Sequence, residues 1–548
     1  MIYFKLKTYK LLFFLLIWLI LKCQTIDIYI PNDQYDIDNI NELINTYSQK
    51  YKTINIYFNT DYYYSKPKKE RGYELTIPEK IDVALIGNPV NGTTFIDLTE
   101  FSFYYSIVFV GSTIHQFKVE NITFYNFNDP VSTTVNDIFY VNYKSNKFNL
   151  LFKNCIFDGS NSLVLDLHST SEIYQESSNF QVLFDSCQFK NIKGNGVIKS
   201  KRENSSNYCH LNIIFSNSVF DNCYNILDAY CGDYLFDNCI FNNISSYEGY
   251  SSFAEINFNS SLTIKNSIIN NSNNLNPLSP FIKSYGNLIN FNNVTMINIH
   301  NDIGYIIEDN GQVKYANKII IDNSYFEDIS PLINGKKIKL FIDNSEFKNI
   351  SNTSSYSLIS NIVYGENYLN NSKISDIKLY GTTLLNDDSP VKIENSEFTS
   401  ISTFYKPVFQ ISYNDIVMKN ININNINIYG DNNECNLLSL LTGDKEKDII
   451  LQNINITNIK SNDKIINIKG NNANIKFNNI KVDKSISYGP FLKCDANNIT
   501  LHLDNMTFIN SKNLKKDESG IFHLENNINI NILNSEFFNN ESHSFGIM

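Results

Sequence analysis

One short pattern, apolar-x-Asn-x-x-apolar, returns sixteen times along the chain and constrains its fold more than any other feature. Two neighbouring copies show it cleanly: Ile321, Asn323, Phe326, Ile329, then Ile342, Asn344, Phe347, Ile350. The key position falls at Asn121, Asn154, Ser186, Asn217, Asn238, Asn266, Asn293, Asn323, Asn344, Asn371, Asn395, Asn420, Asn453, Asn479, Asn505 and Asn534. Serine replaces asparagine once. The residue three places on is Phe in most copies and Ile, Met or Val in the rest.

Spacings of 21 to 33 residues, averaging about 27, are too uneven for leucine-rich, ankyrin or tetratricopeptide repeats. Each copy follows a short stretch of β-branched and aromatic residues, such as Lys318–Ile321 or Asp448–Leu451, which marks strands. Two or three short strands with variable turn loops fit that length. The expected architecture is all-β: a right-handed parallel β-helix of about sixteen stacked coils. At about 4.8 Å per coil this gives a rod on the order of 75 Å. An asparagine at the turn tolerates unusual backbone angles, and its amide can bond the same residue one coil away, forming a ladder. The following Phe residues are expected to point inward as a second ladder.

Composition fits this picture. Gly (21) and Pro (11) are scarce, which excludes collagen-like and Pro/Gly-rich disordered chains. Hydrophobic residues make up 43% and aromatics 14%, enough for a sizeable core. The chain holds 87 Asn, and their fixed placement separates it from disordered Asn-rich sequence. A net charge of −11 without a basic stripe leaves nucleic-acid binding without electrostatic support.

On these repeats and on its N-terminal region the chain resembles the pectin-lyase-like right-handed parallel β-helix superfamily. It is most similar to the Asn-rich secreted β-helix proteins of A+T-rich microbial eukaryotes such as anaerobic gut fungi. The resemblance covers the chain after its first 23 residues. It implies a fold rather than an activity, because the superfamily includes lyases, hydrolases, adhesins and scaffold proteins.

Three segments are expected: a signal peptide at 1–23, an N-terminal cap with the first coils at 24–110, and repeats at 111–548. Lys5, Lys7 and Lys10 precede the apolar run Leu11–Leu21, which is too short to span a bilayer and fits a cleaved signal. The mature chain is therefore read as secreted, with no membrane span. Asp36 or Asp38 is placed to cap a short helix with Ile37, Ile40, Ile44 and Tyr47 on one face, covering the first coil. Strands are expected at Thr53–Phe58, Tyr73–Ile77, Ile81–Ile86 and Thr93–Leu98. Only fourteen residues follow Asn534, without a capping helix, and a truncated gene product is the preferred reading over a bare or partner-paired edge. Fourteen N-x-S/T sequons, among them Asn91, Asn204, Asn259 and Asn352, lead to a glycoprotein reading. Cys155, Cys187, Cys223 and Cys239 recur in or beside the motif, as disulfides or as an inward stack of thiols.

No residue set meets the requirements of catalysis, metal or cofactor binding. A pectate-lyase-like site needs an arginine base beside calcium-binding carboxylates, and the two Arg, Arg71 and Arg202, lack acidic clusters. A galacturonan-hydrolase-like site needs converging carboxylates with a His and a basic pair. The adjacent pair Asp387–Asp388 reads as a solvated turn. His115, His168, His210, His300, His502, His523 and His543 are scattered singly and read as surface polar groups. Tyr clusters at Tyr62–Tyr64 and Tyr104–Tyr105 serve either sugar stacking or strand packing; the sole Trp, Trp18, leaves with the signal peptide.

The function read from the sequence is a secreted, non-catalytic structural, scaffold or adhesion protein of the cell surface or matrix. Its partners would be extracellular polysaccharide or cell-surface proteins, not nucleic acid. The alternative is a polysaccharide lyase or glycoside hydrolase, which requires carboxylates converging on one lateral face. Walls for such a cleft would come from Phe127–Leu150, Asn161–Phe180 and Tyr429–Lys447. A weaker third reading, from the resemblance, is a fragment of a large scaffold protein of cellulolytic complexes.

Overall fold

The computed structural model describes residues 24–543 apart from 65–72, 99–104, 111–113, 128–136, 144, 170–179, 195, 203–210, 231, 247–250, 258–259, 274–278, 302–303, 312–316, 388, 431–434 and 516–519. The expected signal peptide and Trp18 lie outside these residues. The chain divides into two compact units, Met1–Tyr247 with Phe253–Ser261, and Glu248–Ser252 with Leu262–Met548. Each is a parallel β-helix.

One turn of the second unit shows the plan. A first strand, Ile338–Asp343, runs to a corner at Asn344. A second strand, Glu346–Asn352, is bent at Asn349, and a third, Ser360–Val363, leads back to the first strand of the next turn, Glu366–Asn370. Every strand pairs in parallel with its counterpart one turn away, as in Ile319↔Leu340 and Leu340↔Asn367. Sixteen turns carry the corner, fifteen with Asn and one with Ser186. In the first unit three further first strands, Thr25–Ile30, Thr53–Phe58 and Asp82–Ile86, precede it and begin the stack without the motif.

The corner explains why asparagine recurs. All sixteen motif positions are left-handed, with φ between 45° and 57°. Most side chains there clash with the following carbonyl, and Asn is among the few that tolerate it. Its backbone N–H donates onward to the next turn, as Asn154 does to the Asp185 carbonyl at 3.0 Å. Its side-chain Nδ2 reaches the preceding turn. Asn420 donates to Asn395 Oδ1 at 2.8 Å, Asn453 to Asn420 at 2.8 Å and Asn479 to Asn453 at 2.9 Å. Where the preceding residue offers an acid the amide takes it instead, as in Asn217 to Asp185 and Asn344 to Asp322.

A second left-handed corner lies five residues after each first one, at all sixteen turns. Eleven of these are Asn; the others are Gly159, Asp328, Asp376, Ser400 and Lys484. They form their own ladder, for example Asn222 to Asn191 at 2.7 Å and Asn539 to Asn510 at 2.6 Å. A hydroxyl relay runs beside the first corner. The N–H groups of Ser324, Ser345 and Ser372 each donate to the serine one turn on, at 3.1–3.2 Å, while each hydroxyl donates to the carbonyl two residues back. The relay satisfies N–H groups that the tight corner would otherwise strand.

Identical spacing in every turn places like residues above like. In the first unit Phe152, Phe184, Phe215 and Phe236 stack with centroids 4.6–4.7 Å apart and planes within 9°. Phe157, Phe189, Phe220 and Phe241 form a second column at 4.7–5.1 Å, meeting the first edge to face. Aromatic pairs of this kind add about 0.5–1.5 kcal/mol each beyond burial. The second unit fills the same positions mainly with isoleucine and leucine, such as Ile374, Ile423 and Ile456, with Phe326 and Phe347 stacked among them.

Asp36 caps the N-terminal helical segment through a capping box with Asn39; a 3-10 turn, Ile37–Asn39, leads into the α-helix Ile40–Tyr47. Ile37, Ile40 and Ile44 are buried as the sequence leads one to expect, joined by Leu43, while Tyr47 packs at the edge against Tyr35 and Tyr51. The helix lies on Tyr73–Ile77, the first third strand, where Asn41 Oδ1 accepts the Thr76 N–H at 2.9 Å. That bond covers a strand edge otherwise open to pairing.

Cys155, Cys187, Cys223, Cys239, Cys435 and Cys494 are buried thiols, none in a disulfide. Cys155, Cys187 and Cys239 occupy the position that serine takes in the relay, and their sulfurs lie 3.4–3.6 Å from the same kind of carbonyl. Burial pushes Cys223, Cys239 and Cys494 up to about 12.

Two outcomes follow from this packing. Asn420→Ala loses two amide bridges and must hold a left-handed backbone, a conformation that costs about 1–2 kcal/mol. Asn420→Gly loses only the bridges, so its denaturation midpoint should fall clearly less than that of the alanine variant. The thiols give an alkaline limit. An unfolded cysteine titrates near about 8.5, so the unfolded chain releases these protons first. Their stabilisation is intact below about pH 8.5 and lost as pH rises toward about 12. Denaturation midpoints followed from neutral to alkaline pH should decline over that window.

Candidate functional site

The third strands carry no motif, yet in the first unit they bring a run of ionisable side chains into register. Their register in the first unit aligns Tyr140, Asp166, Lys199, Asp228 and Glu255 in one outward row, with His168 beside it. Successive members sit one turn apart, about 4.8 Å. Two of the segments expected to supply cleft walls, Phe127–Leu150 and Asn161–Phe180, carry Tyr140, Asp166 and His168.

Within the row two pairs form. Lys199 Nζ binds Asp228 Oδ2 at 2.6 Å, and His168 Nε2 lies 3.1 Å from Asp166 Oδ2. The His168 ring packs against Tyr140 with centroids 4.7 Å apart. Burial disfavours the Lys199 ammonium, but Asp228, Tyr230 and Asp166 outweigh it and hold its pKa above the usual lysine value. Asp166 is only 2% exposed.

The second unit repeats the theme. His523 Nε2 contacts Glu525 Oε1 at 2.5 Å, and Lys493 lies 3.4 Å from the same oxygen. The His523 hydrogen bond and the Lys493 charge keep the exposed Glu525 carboxyl below its ordinary range. Asp495, one turn below Glu525 in register, accepts from Asn526 at 2.9 Å. Among the described residues no group of three or more His, Cys, Asp or Glu is placed to hold a metal ion.

The residues weighed from the sequence fall as follows. Arg71 and Asp388 lie outside the described residues. Arg202 ends the third strand Ile198–Arg202 and Asp387 ends Leu385–Asp387, with their side chains outside the described set. The histidines are not uniformly surface groups: His115 is 2% exposed against Phe109. His168, His300 and His523 each sit beside a carboxylate. Alternation along a strand puts residues i and i+2 on one face, so Asp166-x-His168 and His523-x-Glu525 were the signals that a search for metal spacing passed over. Tyr63 and Tyr105 are core residues, whereas Tyr62 and Tyr64 are half exposed; Tyr104 lies outside the described residues. Of the sequons, Asn352 is 4% exposed and its Nδ2 donates to the Tyr356 carbonyl at 2.8 Å, so the folded chain does not offer it for modification. Asn91 is exposed and its Nδ2 donates to Asp61.

No helix among the described residues is long and apolar enough to cross a membrane. No protein-family model matches the chain, and no curated protein matches it. Among solved structures it is similar to the PL6 family alginate lyase AlyGC, at 9% identity and a TM-score of 0.34, covering 94% of this chain and 100% of that one. It is similar also to the catalytic unit of a GH87 α-1,3-glucanase from Streptomyces thermodiastaticus, at 10% identity and a TM-score of 0.31, over 78% and 68% of the two chains. A third is PfbA, a surface adhesin of Streptococcus pneumoniae, at 11% identity and a TM-score of 0.28, over 74% and 91%. These likenesses carry no residue-by-residue correspondence, and the parallel β-helix itself is read from the strand register.

Proposed function

We propose that the chain is a secreted, non-catalytic β-helix that serves at the cell surface or matrix as a structural or adhesive element, with extracellular polysaccharide as its partner. The observation that carries this reading is the pairing of Lys199 with Asp228 and of His168 with Asp166 in the third-strand row. A general base must be neutral or anionic, reachable and free to take a proton. Lys199 is held protonated by Asp228, Asp228 is occupied by Lys199, and Asp166 is buried against His168. Lys199 and Asp228 thus neutralise each other, and neither is free to act as a base. The regular corners support the same reading, since two amide ladders per turn make a scaffold suited to display.

A second reading is a polysaccharide lyase or hydrolase, favoured by the alignment of Asp166, Asp228 and Glu255 on one face with His168 and Lys199. Asp166 and Asp228 are two turns apart, about 9.6 Å by strand spacing, near the upper end of the separation found in inverting glycosidases. Purified protein is incubated with a polysaccharide panel, and retention, reducing ends and unsaturated products are read from the same wells. The expected result is retention without product. Product release that Asp228→Asn abolishes, with the fold intact by circular dichroism, overturns the display reading in favour of the enzyme.

A further inference from the structure

An asparagine followed by glycine is among the least durable steps in a polypeptide. With no Cβ beside it, the glycine nitrogen can reach the asparagine Cγ and close a five-membered ring. The chain has four such steps. Asn195, before Gly196, lies outside the described residues. The other three are held in three different ways. Asn91 Nδ2 donates to Asp61 Oδ2 at 2.5 Å, and the Gly92 N–H donates to the Asn88 carbonyl at 2.9 Å. Asn334 Oδ1 accepts Asn361 Nδ2 at 2.9 Å, and Gly335 lies in a strand paired on both sides. In both, groups that the reaction needs are committed elsewhere.

Asn310 differs. It follows the third strand Ile307–Asp309 and is exposed, and its side chain makes no hydrogen bond. The Gly311 N–H donates to Asp309 Oδ1 at 2.8 Å, so the proton that must leave before ring closure already faces a carboxylate. Asp309 is 3% exposed. Among the described residues the groups that face it are uncharged: Ser284 and Gly335 in register, with Gly286, Gly311 and Asn317 around it. Glu308, its neighbour in the strand, points to the opposite face. Burial raises the Asp309 pKa to about 6, against the Gly311 N–H, the Asn317 amide and the Gly286 N–H. A base with that value suits proton transfer near neutral pH. Packing fixes the glycine, because a Cβ on Gly311 would lie 2.2 Å from Asn317 Nδ2 and 3.0 Å from Asp309 Oδ1. The fold therefore keeps the labile step in place.

We propose that the folded chain deamidates its own Asn310, with Asp309 as the base. The Gly311 nitrogen gives its proton to Asp309 and bonds to Asn310 Cγ. The Cγ–Nδ2 bond then breaks, Asp309 returns the proton to the leaving nitrogen, and ammonia departs. Water opens the cyclic imide at either carbonyl, leaving an aspartyl or isoaspartyl residue at position 310 and the Asp309 carboxylate restored. Either product sets a second carboxyl beside the buried one. The isoaspartyl form also adds a methylene to the main chain before the next first strand, Asn317–Asp322. This slow, one-way change of charge at a single turn records the age of the molecule. It goes beyond the display reading and does not rest on it.

The test incubates the full chain across mildly acidic to neutral pH and follows the amide-to-acid mass gain by peptide mass spectrometry. Asn91 and Asn334 are the internal references. Asn310 should convert about tenfold or more faster than either, the scale of general-base assistance. Its rate should rise to about pH 6, where Asp309 ionises, and change little from there to neutrality. The references should keep climbing as hydroxide takes their protons. Asp309→Asn keeps an acceptor oxygen for the Gly311 N–H but loses the base, so Asn310 should slow by about tenfold or more and climb with pH like the references. In denaturant the three sites of the native sequence should convert at similar rates, a control that stands even where the variant misfolds. A folded-state Asn310 no faster than Asn91 and Asn334, a preference that survives unfolding, or an unchanged rate in a folded Asp309→Asn chain overturns the proposal.

Discussion

The left-handed corner and its inter-turn amide bonds carry the rest of the structure. A parallel coil must change direction within a few residues without leaving buried N–H or carbonyl groups unpaired. Asn at the corner meets both needs: its backbone takes positive φ, and its side chain joins the turn below while its N–H joins the turn above. With the corner fixed, each strand starts at the same place in every turn. Inward residues then form columns, as in Phe152, Phe184, Phe215 and Phe236, and outward residues form rows. The candidate sites are consequences of that register.

The same constraint explains substitutions that look unlike one another. The residue after the first corner is Ser in seven turns and Cys in three, where it meets a neighbouring N–H or carbonyl, and is Ile, Val or Met in the other six. Ser218 accepts the Cys187 N–H at 3.1 Å, and Cys187 itself points to the Asp185 and Phe152 carbonyls. Cys155, Cys187 and Cys239 therefore belong to the hydroxyl relay, and their positions are explained without disulfides. The core can change from stacked phenylalanine in the first unit to mostly aliphatic side chains in the second because the backbone does not depend on which apolar residue fills a column.

What the sequence made legible follows from this. The first corner is visible because fifteen of its sixteen positions are Asn and a fixed apolar residue stands three places on. The second corner was not seen, since Gly159, Asp328, Asp376, Ser400 and Lys484 dilute it, although a spacing of five from the first would have revealed it. The three opening rungs lack the motif altogether: Thr25–Ile30 went unread and the others were read only as strands, with Thr53–Phe58 and Tyr73–Ile77 recovered to the residue. The candidate site was hidden for a different reason. Third strands lie at variable distances from the corner because loops of different length intervene, so Asp166, Lys199 and Asp228 share no sequence offset. Only the register brings them into a row.

The row at Asp166–Glu255 mixes signs, with Lys199 bound to Asp228 and His168 hydrogen-bonded to Asp166. Amide hydrogen exchange resolved at the corners tests the central claim most directly. If the ladders fix the register, the N–H groups of Asn154, Asn395 and the other first corners should exchange as slowly as those of the strands they join. Fast exchange at the corners beside protected strands would contradict it and shift the origin of register to the core columns alone.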